Sequence, residues 1–455
     1  MNSFCQMVDI YNKLLENIIL PSGDFFLGTN YIGELRRWRK ISRLKESELH
    51  ELSIINLRKL LSFATAKVPF YRTYSQIEKS DLGAWLKEFP VVNKYDYNNN
   101  IDSFLSVPKD KLIPNYSSGS SGVQGVVYMN KKEQSSTQAI QTLLWEWSGY
   151  YPGKPIVQTG MTPDRGFAKT LKDCLFKTRY YNAFGLDNIE LSAILHKQTG
   201  LSNYHLGGYA SSLFLIAQKA NEQEISDVKF DAVISWGDKM FDHYRKEIEK
   251  AFGCKVYDTY GTTEGIVIAG QRDLDYSYIL TPHVWIELLD DQGNEVEDGK
   301  IGHVVVTRLD GYSMPLIRYK IGDLAIRLPR HKYPERRELA FPLLEKIIGR
   351  NTDIIKTASG KFMIVHFFTG IFEHVHEIKQ FKVVQRDLNS IEIEYIPGKG
   401  FSEIVLGKVS EKIKSYLNED FPIKWKQVDF ITPTKSGKPQ IIQSLINNNS
   451  LSHHA

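Results

Sequence analysis

Between Tyr116 and Gly125 the chain reads YSSGSSGVQG, four serines and three glycines in ten residues. Glycine lets a backbone turn through positive φ and approach a ligand closely, and serine hydroxyls add donors. The stretch therefore suits a cradle for an anion, most often phosphate. The same composition suits a flexible linker, and the run alone does not choose between them. Four further stretches carry groups capable of chemistry. DTYGTTEG (Asp258–Gly265) follows a strand-like KVY and combines a ring, hydroxyls and a carboxylate. Tyr260 could stack on a purine, Thr262 and Thr263 could donate to phosphate oxygens, and Glu264 could hold Mg2+, a hard ion that prefers oxygen ligands. A polar strand-to-loop turn would read the same way. RYKIGD (Arg318–Asp323) sets an aspartate after a glycine, where it could accept from both ribose hydroxyls or serve as an ordinary turn residue. GRNTDIIKTASG (349–360) suits a hinge or a linker. TKSGKP (434–439) is an exposed turn or a mobile lysine bringing a point charge to a phosphate.

The elements that must position these groups follow from periodicity. The chain of 455 residues is long enough for two or three domains. Its first hundred residues read as helical: Val8, Tyr11, Leu15, Ile18 and Ile19 share one face, and Leu57, Leu60, Leu61 and Ala64 repeat the i, i+3, i+4, i+7 spacing. After the Gly/Ser run, PIVQTG (155–160) and AVISWG (232–237) read as buried strands, alternating with helices at 191–198, 210–220 and 241–252. This alternation predicts an α/β fold around a largely parallel sheet. From 283 to 328 the pattern becomes alternating apolar and polar, separated by Gly-containing turns, as in a β-rich subdomain or barrel. A boundary near Gly349 divides a large unit, residues 1–349 with a mainly helical lead-in over 1–110, from a small α+β unit, 350–455. In the small unit Leu406, Val409, Ile413 and Tyr416 supply a helix's buried face.

Composition narrows the function classes. A net charge of +4 over this length gives no basis for nucleic-acid binding. Cys5, Cys174 and Cys254 lie far apart without metal-ligand spacing, so neither a disulfide framework nor a zinc site is expected. No signal peptide and no membrane-spanning run is apparent, which makes a cytoplasmic location the default.

Taken in order, the Gly/Ser loop, YGTTEG, RYxxGD, GRxxDxIK and a C-terminal Gly-Lys resemble the acyl-adenylate-forming superfamily of acyl-CoA ligases, luciferases and adenylation domains. PFYR (69–72), FPVVNK (89–94) and MPLIRY (314–319) are similar to the phenylacetate–CoA ligase group and its capsule-biosynthesis relatives. The resemblance spans roughly residues 60–440 and implies the superfamily's α/β fold with a small mobile lid. It implies ATP and Mg2+ as cofactors and coenzyme A as co-substrate. A small carboxylic acid is converted to acyl-AMP, and a thiol then displaces AMP. By motif position, Ser117, Ser118, Gly119, Ser120, Ser121 and Gly122 would wrap the β,γ-phosphates. Gly237 and Asp238 would line the adenine pocket. Asp258, Thr259, Tyr260, Gly261 and Thr262 would contact adenine and the α-phosphate, with Thr263 assisting. Glu264 would bind Mg2+ and Asp323 the ribose. Lys438 would bridge carboxylate and α-phosphate, and Arg350, Asn351, Thr352 and Asp353 would form the hinge.

The chain departs from this pattern where Val123-Gln124 replaces the loop's usual Lys-Pro, where Ile321 replaces a threonine, and at Thr352. Residues 268–280 contain no cysteine, so the metal site of some relatives is not expected. Tyr180, Tyr181, Phe184, Gly208 and Trp236 are candidate walls of the acid pocket, with core packing as the alternative, while His205 and His283 read as structural. Two other functions stay open. One is transfer of the activated group to a sugar amine or hydroxyl, or to a carrier protein, in surface polysaccharide biosynthesis; the other is a non-catalytic nucleotide binder. A homodimer is also open.

Overall fold

The computed structural model describes residues 10–74, 81–116, 125–160, 166–183, 186–348, 355–359, 361–363, 365–372, 375, 377–431 and 441–446. Strands β1 (Ile113–Tyr116) and β2 (Val126–Met129) form an antiparallel hairpin of their own. The parallel half of the main sheet comes next in sequence: β3 (Ile156–Gly160), β4 (Thr178–Asn182), β5 (His205–Tyr209), β6 (Ala232–Trp236) and β7 (Val256–Thr262). These pair side by side in the order β4-β3-β5-β6-β7. Parallel neighbours need crossovers, and helices Asn188–His196, Ala210–Glu222 and Asp242–Phe252 provide them. Their signals were legible: Asp187 and Glu190 make a capping box, and Gly253 ends the third helix at φ 64°.

From β7 onward pairing turns antiparallel. Strands β8 (Ile266–Gly270), β9 (Ser277–Ile279), β10 (Val284–Leu289), β11 (Ile301–Arg308), β12 (Tyr319–Arg327) and β13 (Leu343–Ile347) extend the same sheet in the order β7-β8-β9-β13-β12-β11-β10. The β-rich stretch is an antiparallel set chained to the parallel half through β7, giving one order of 11 strands. The reason is local. The short turn after β7, with Gly265 at φ 81°, folds β8 back onto β7, which pairs parallel on one side and antiparallel on the other.

Several cores fill the layers around the sheets. Leu57, Leu60, Leu61 and Ala64 are buried with Ile286, Val304 and Val306, so the long helix Glu46–Lys67 covers the antiparallel half. Each such leucine contributes roughly 2 kcal/mol by leaving water. Val157, Leu206 and Val233 pack with Leu213, Ile216 and Ile248 of the crossover helices. The third core, from Ile355 to Ile442, belongs to the C-terminal elements: β14 (Ile355–Lys356) with β15 (Phe362–Met363), and a four-stranded sheet of β16 (Ile378–Asp387), β17 (Ser390–Pro397), β18 (Ile423–Gln427) and β19 (Ile442–Ser444). Helix Glu403–Leu417 buries Val409, Ile413 and Leu417 there, while Leu406 and Tyr416 are half-buried. At the N-terminus Leu15 is buried but Ile18 is exposed, because a π-helical turn over Leu15–Ile19 breaks the 3.6-residue period; Val8 lies outside the described residues. No described helix is long and apolar enough to cross a membrane.

One buried clamp joins the helical lead-in to the antiparallel half. The Arg318 guanidinium donates to both oxygens of Glu287, at 3.1 and 2.9 Å, and to the carbonyls of Phe89 and Lys87, at 3.0 and 3.3 Å. Beside it, Val92 N–H donates to Arg318 O and Lys320 N–H to Val92 O. FPVVNK is thereby laid against MPLIRY as an added bridge, Val92 opposite Tyr319. Removing one partner of a buried ion pair strands the other charge. Arg318→Met should lower unfolding free energy by ~3 kcal/mol or more in urea titrations. The double variant Arg318→Met/Glu287→Met should recover part of that loss.

Candidate active site

Strand β7 carries the DTYGT residues at the seam of the sheet. Asp258 accepts from the Ser235 hydroxyl, and its N–H donates to Gln271 Oε1 at 3.1 Å. Thr259 Oγ1 donates to the Ser235 carbonyl at 2.8 Å, tying β7 to β6. The Tyr260 hydroxyl donates to Asp323 Oδ2 at 3.1 Å, so the ring expected at adenine and the carboxylate expected at ribose meet directly. Gly261 must be glycine for space: a Cβ there would stand 2.8 Å from the Ile266 carbonyl oxygen.

Glu264 follows in the turn and is only 4% exposed. Tyr319 donates to its Oε1 at 3.0 Å, and Lys94 Nζ lies 3.5 Å from the same oxygen. Burial opposes its ionisation, but the Lys94 charge and hydrogen bonds, Tyr319's among them, outweigh it and hold the carboxyl below its usual range. Lys94 reaches this point because Asn93 caps helix Lys94–Asn99 with an Asp96 capping box, two residues after the Val92 bridge. Sequence reading used Lys94 and Tyr319 only as parts of family-like strings and missed their pairing with Glu264. A lysine at the first position of a capped helix was the available signal.

The hairpin β1–β2 brings in the Gly/Ser loop. Residues 117–124, including Ser117, Ser118, Gly119, Ser120, Ser121 and Gly122, lie outside the described residues, but both ends of the stretch are described. Tyr116 pairs with Val126, and Asn115 Nδ2 donates to the Thr263 carbonyl at 2.6 Å. A Cβ on Gly265 would meet Met129 Cε at 2.8 Å, and one on Gly125 would meet the Tyr97 hydroxyl at 2.3 Å and Lys94 Cγ at 3.0 Å. Three motifs far apart in sequence thus converge on one point. Behind it, Thr137 Oγ1 donates to the Gly265 carbonyl at 3.0 Å and accepts from Arg308. Arg308 also pairs with Asp310, which faces buried His283. His283, expected to be structural, is fully buried with Nδ1 3.0 Å from Asp310; no sequence spacing announced Arg308 or Thr137.

Other expected residues sit as follows. Gly237 takes φ 85° after β6, and Asp238 accepts from Ala210 N–H and from the Ser211 N–H and hydroxyl, capping helix Ala210–Glu222. Trp236 stacks on Trp145 at 5.2 Å, and the Tyr180 hydroxyl would touch a Cβ on Gly160. Gly208 lies so near Thr159 Oγ1 that no Cβ fits, and Tyr181 is half-buried. His205 is buried, with Nε2 3.2 Å from the Ser148 carbonyl, and burial pushes it down to about 4. Phe184, Arg350, Asn351, Thr352, Asp353 and Lys438 lie outside the described residues.

Among the described residues Glu264 is the acid at the point where the three motifs converge, and no cluster of three or more metal-ligating side chains surrounds it. An ionised, buried carboxylate flanked by hydroxyls, with no soft ligand, suits a hard divalent cation. Lys94 touches this carboxylate and the Gly125 end of the loop, and Tyr260 and Asp323 form a separate hydrogen-bonded pair.

Asp238 and Asp258 share one further property. Burial pushes each from 3.8 up to about 6, and the Asp258 charge adds to the rise at Asp238. Each binds its proton more tightly folded than unfolded, so this contribution is present at low pH and lost as pH rises through about 6. Asp258→Asn removes one such group and relieves the other. The melting temperature of the variant minus that of wild type should therefore rise between about pH 4 and pH 7. A flat difference in thermal scans would contradict the assignment.

No family model matches the chain. Protein CapK of Staphylococcus aureus is 24% identical over 454 residues, covering 94% of this chain and 97% of its own length. Phenylacetate-coenzyme A ligase of Pseudomonas putida is 28% identical over 229 residues, 46% of this chain and 50% of that protein. Among solved structures, 2-hydroxyisobutyryl-CoA ligase in complex with 2-HIB-AMP and CoA, in its thioesterification state, has a TM-score of 0.58 at 16% identity. That match covers 88% of this chain and 90% of the ligase. In sequence the chain is similar to Protein CapK and to phenylacetate-coenzyme A ligase, and it shares the fold of an acyl-CoA ligase.

Proposed function

We propose that this protein activates a small carboxylic acid with ATP and passes the acyl group to a thiol, that of coenzyme A in the leading reading. In the first step a carboxylate oxygen attacks the α-phosphorus, the bond to the β-phosphate bridge breaks, and pyrophosphate leaves with its electron pair. In the second, the thiol gives up its proton to solvent, its sulfur attacks the acyl carbon of the mixed anhydride, the acyl C–O bond to the phosphate breaks and AMP leaves with the electron pair. The observation that carries this reading is the convergence of both ends of the Gly/Ser loop, Glu264 and Lys94, with Tyr260 and Asp323 joined nearby.

Transfer of this kind depends on positioning and charge neutralisation more than on covalent help from the protein. Asp323 and Tyr260 orient the nucleoside. The loop, which lacks the usual lysine, offers neutral donors to the phosphates, and Lys94 at its C-terminal end supplies a cation in that lysine's stead. A divalent ion on Glu264 would neutralise further phosphate charge. Residues 350–455 act as a moving lid hinged at Arg350–Asp353 and carry Lys438 to the α-phosphate. Support for the lid comes from its own core and sheet, and from buried Ile431 and Ile441 anchoring both ends of the segment that holds Lys438. The alternative acceptor is a sugar amine or hydroxyl or a carrier protein, and its one hint is the similarity to Protein CapK over 94% of this chain, beside a phenylacetate-coenzyme A ligase matched over 63%.

Acid-dependent, Mg2+-dependent ATP–pyrophosphate exchange is the expected result across a panel of carboxylic acids. No exchange with any acid would favour a nucleotide-binding role without catalysis. Lys438→Ala should reduce exchange by ~10²-fold or more, yet spare thioester formation from supplied acyl-AMP. Lys94→Met should raise the KM for ATP by about tenfold, the scale of one lost charge-assisted contact, with a smaller change in kcat. AMP release without acyl-CoA when coenzyme A is added would select the second acceptor.

A further inference from the structure

Met129 and Thr137 both bear on Gly265, the glycine that closes the Glu264 turn, and a third residue holds them both. Gly265 N–H donates to the Thr262 carbonyl at 3.1 Å, with φ at 81°. A Cβ at Gly265 would stand 2.8 Å from Met129 Cε, at the end of β2. Thr137 Oγ1, on helix Lys131–Glu146, donates to the Gly265 carbonyl at 3.0 Å. The Arg308 guanidinium forks between the two: Nη1 donates to Met129 Sδ at 3.0 Å and Nη2 to Thr137 Oγ1 at 3.2 Å.

The fork is itself fixed, and it directs a proton. Arg308 is buried, and its Nε donates to Asp310 Oδ1 at 2.9 Å. Asp310 Oδ2 accepts from the Ser136 hydroxyl at 2.9 Å and lies 3.0 Å from His283 Nδ1. A planar guanidinium held at all three nitrogens keeps one orientation. Arg308 Nη2 also donates to the Glu133 carbonyl at 3.2 Å. A threonine inside a helix commonly gives its proton to the carbonyl four residues back. For Thr137 that carbonyl is Glu133, at 3.2 Å. Arg308 already donates to it, and also fills a lone pair of the Thr137 hydroxyl. The single Thr137 proton is thereby turned to the nearer Gly265 carbonyl.

We propose that Arg308 is a positioning residue: through Thr137 and Met129 it sets the Glu264 turn against the β1–β2 hairpin. The proposal rests on the adenylation reading only for what these two elements hold, the phosphates of ATP. Phosphates lying between hairpin and turn need both at a fixed separation, and a misplacement of about 1 Å at a reacting centre can cost up to ~10²-fold. Asn115 Nδ2 joins the same hairpin to the Thr263 carbonyl at 2.6 Å. That second tie keeps the two elements together when the fork is lost, so the loss loosens the turn and does not detach it.

The test compares the full wild-type chain with Thr137→Val, Thr137→Ser, Arg308→Lys and Thr137→Val/Arg308→Lys in ATP–pyrophosphate exchange. Valine keeps the shape of threonine without its hydroxyl, and lysine keeps a cation for Asp310 without the fork. Thr137→Val should raise the KM for ATP by about fivefold, with smaller changes in kcat and in the KM for the acid. Thr137→Ser should restore it. Arg308→Lys should act in the same direction. The double variant should be no worse than the more severe single one, because both changes break one chain of contacts. Hydrogen exchange read by mass spectrometry follows the turn without any substrate. Amides of residues 262–267 should exchange faster in Thr137→Val and Arg308→Lys than in wild type or Thr137→Ser, while those of β16 and β17 stay alike in all. An unchanged KM for ATP, a serine variant that behaves like valine, or multiplying effects in the double variant overturns the proposal. No ATP–pyrophosphate exchange by wild type with any acid overturns the adenylation reading instead, and the turn amides then decide on the brace. Turn amides that do not change overturn it in either case.

Discussion

An ionised carboxylate is costly to bury, and Glu264 is buried almost completely. Much of the surrounding architecture answers that cost. Lys94 and Tyr319 must reach one oxygen, so the segment holding Lys94 must lie against the strand holding Tyr319. The Val92 bridge accomplishes this, and the Arg318 clamp secures the bridge by taking the Phe89 and Lys87 carbonyls while sharing its charge with Glu287. One buried charge is thus balanced by a second, whose backbone is held by a third. The arrangement leaves a carboxylate ionised at the mouth of a glycine- and serine-rich loop.

The seam of the sheet explains where the site lies. Strand β7 has a parallel neighbour on one side and an antiparallel neighbour on the other, and its pairing with β8 slips between Tyr260 and Gly261. Such an irregularity re-aims side chains locally. Here Tyr260 reaches Asp323 on β12. Gly261 leaves room for the neighbouring carbonyl, and the turn beyond it delivers Thr263 and Glu264 to the hairpin that closes the loop.

Most of this fold was legible because hydrophobic period reports burial. The Leu57–Ala64 stripe, the parallel strands and the crossover helices all follow it. The period is silent on how sheets join, so the antiparallel stretch read as a β-rich subdomain or barrel without showing that β7 links it to the parallel strands. It also failed at Ile18, where a π-turn rotates the helix face. For the site, Tyr260, Glu264 and Asp323 stood out by residue type in short motifs. Lys94, Tyr319, Thr137 and Arg308 did not, because their roles depend on neighbours remote in the chain, and no local spacing encodes those.

That remoteness bears on how the protein is made. The contact between the loop hairpin and Thr263 closes a span of 148 residues, and the Phe89–Arg318 contact one of 229. Contacts of such sequence separation form late, because loop-closure entropy must be overcome before they give any return. A nascent chain emerging from the ribosome therefore presents its serine-rich loop and its Lys94 helix well before their partners exist. The pairing of Glu264 with Tyr319 and of Tyr260 with Asp323 forms only when β12 docks, so this cluster is assembled with the completion of the sheet.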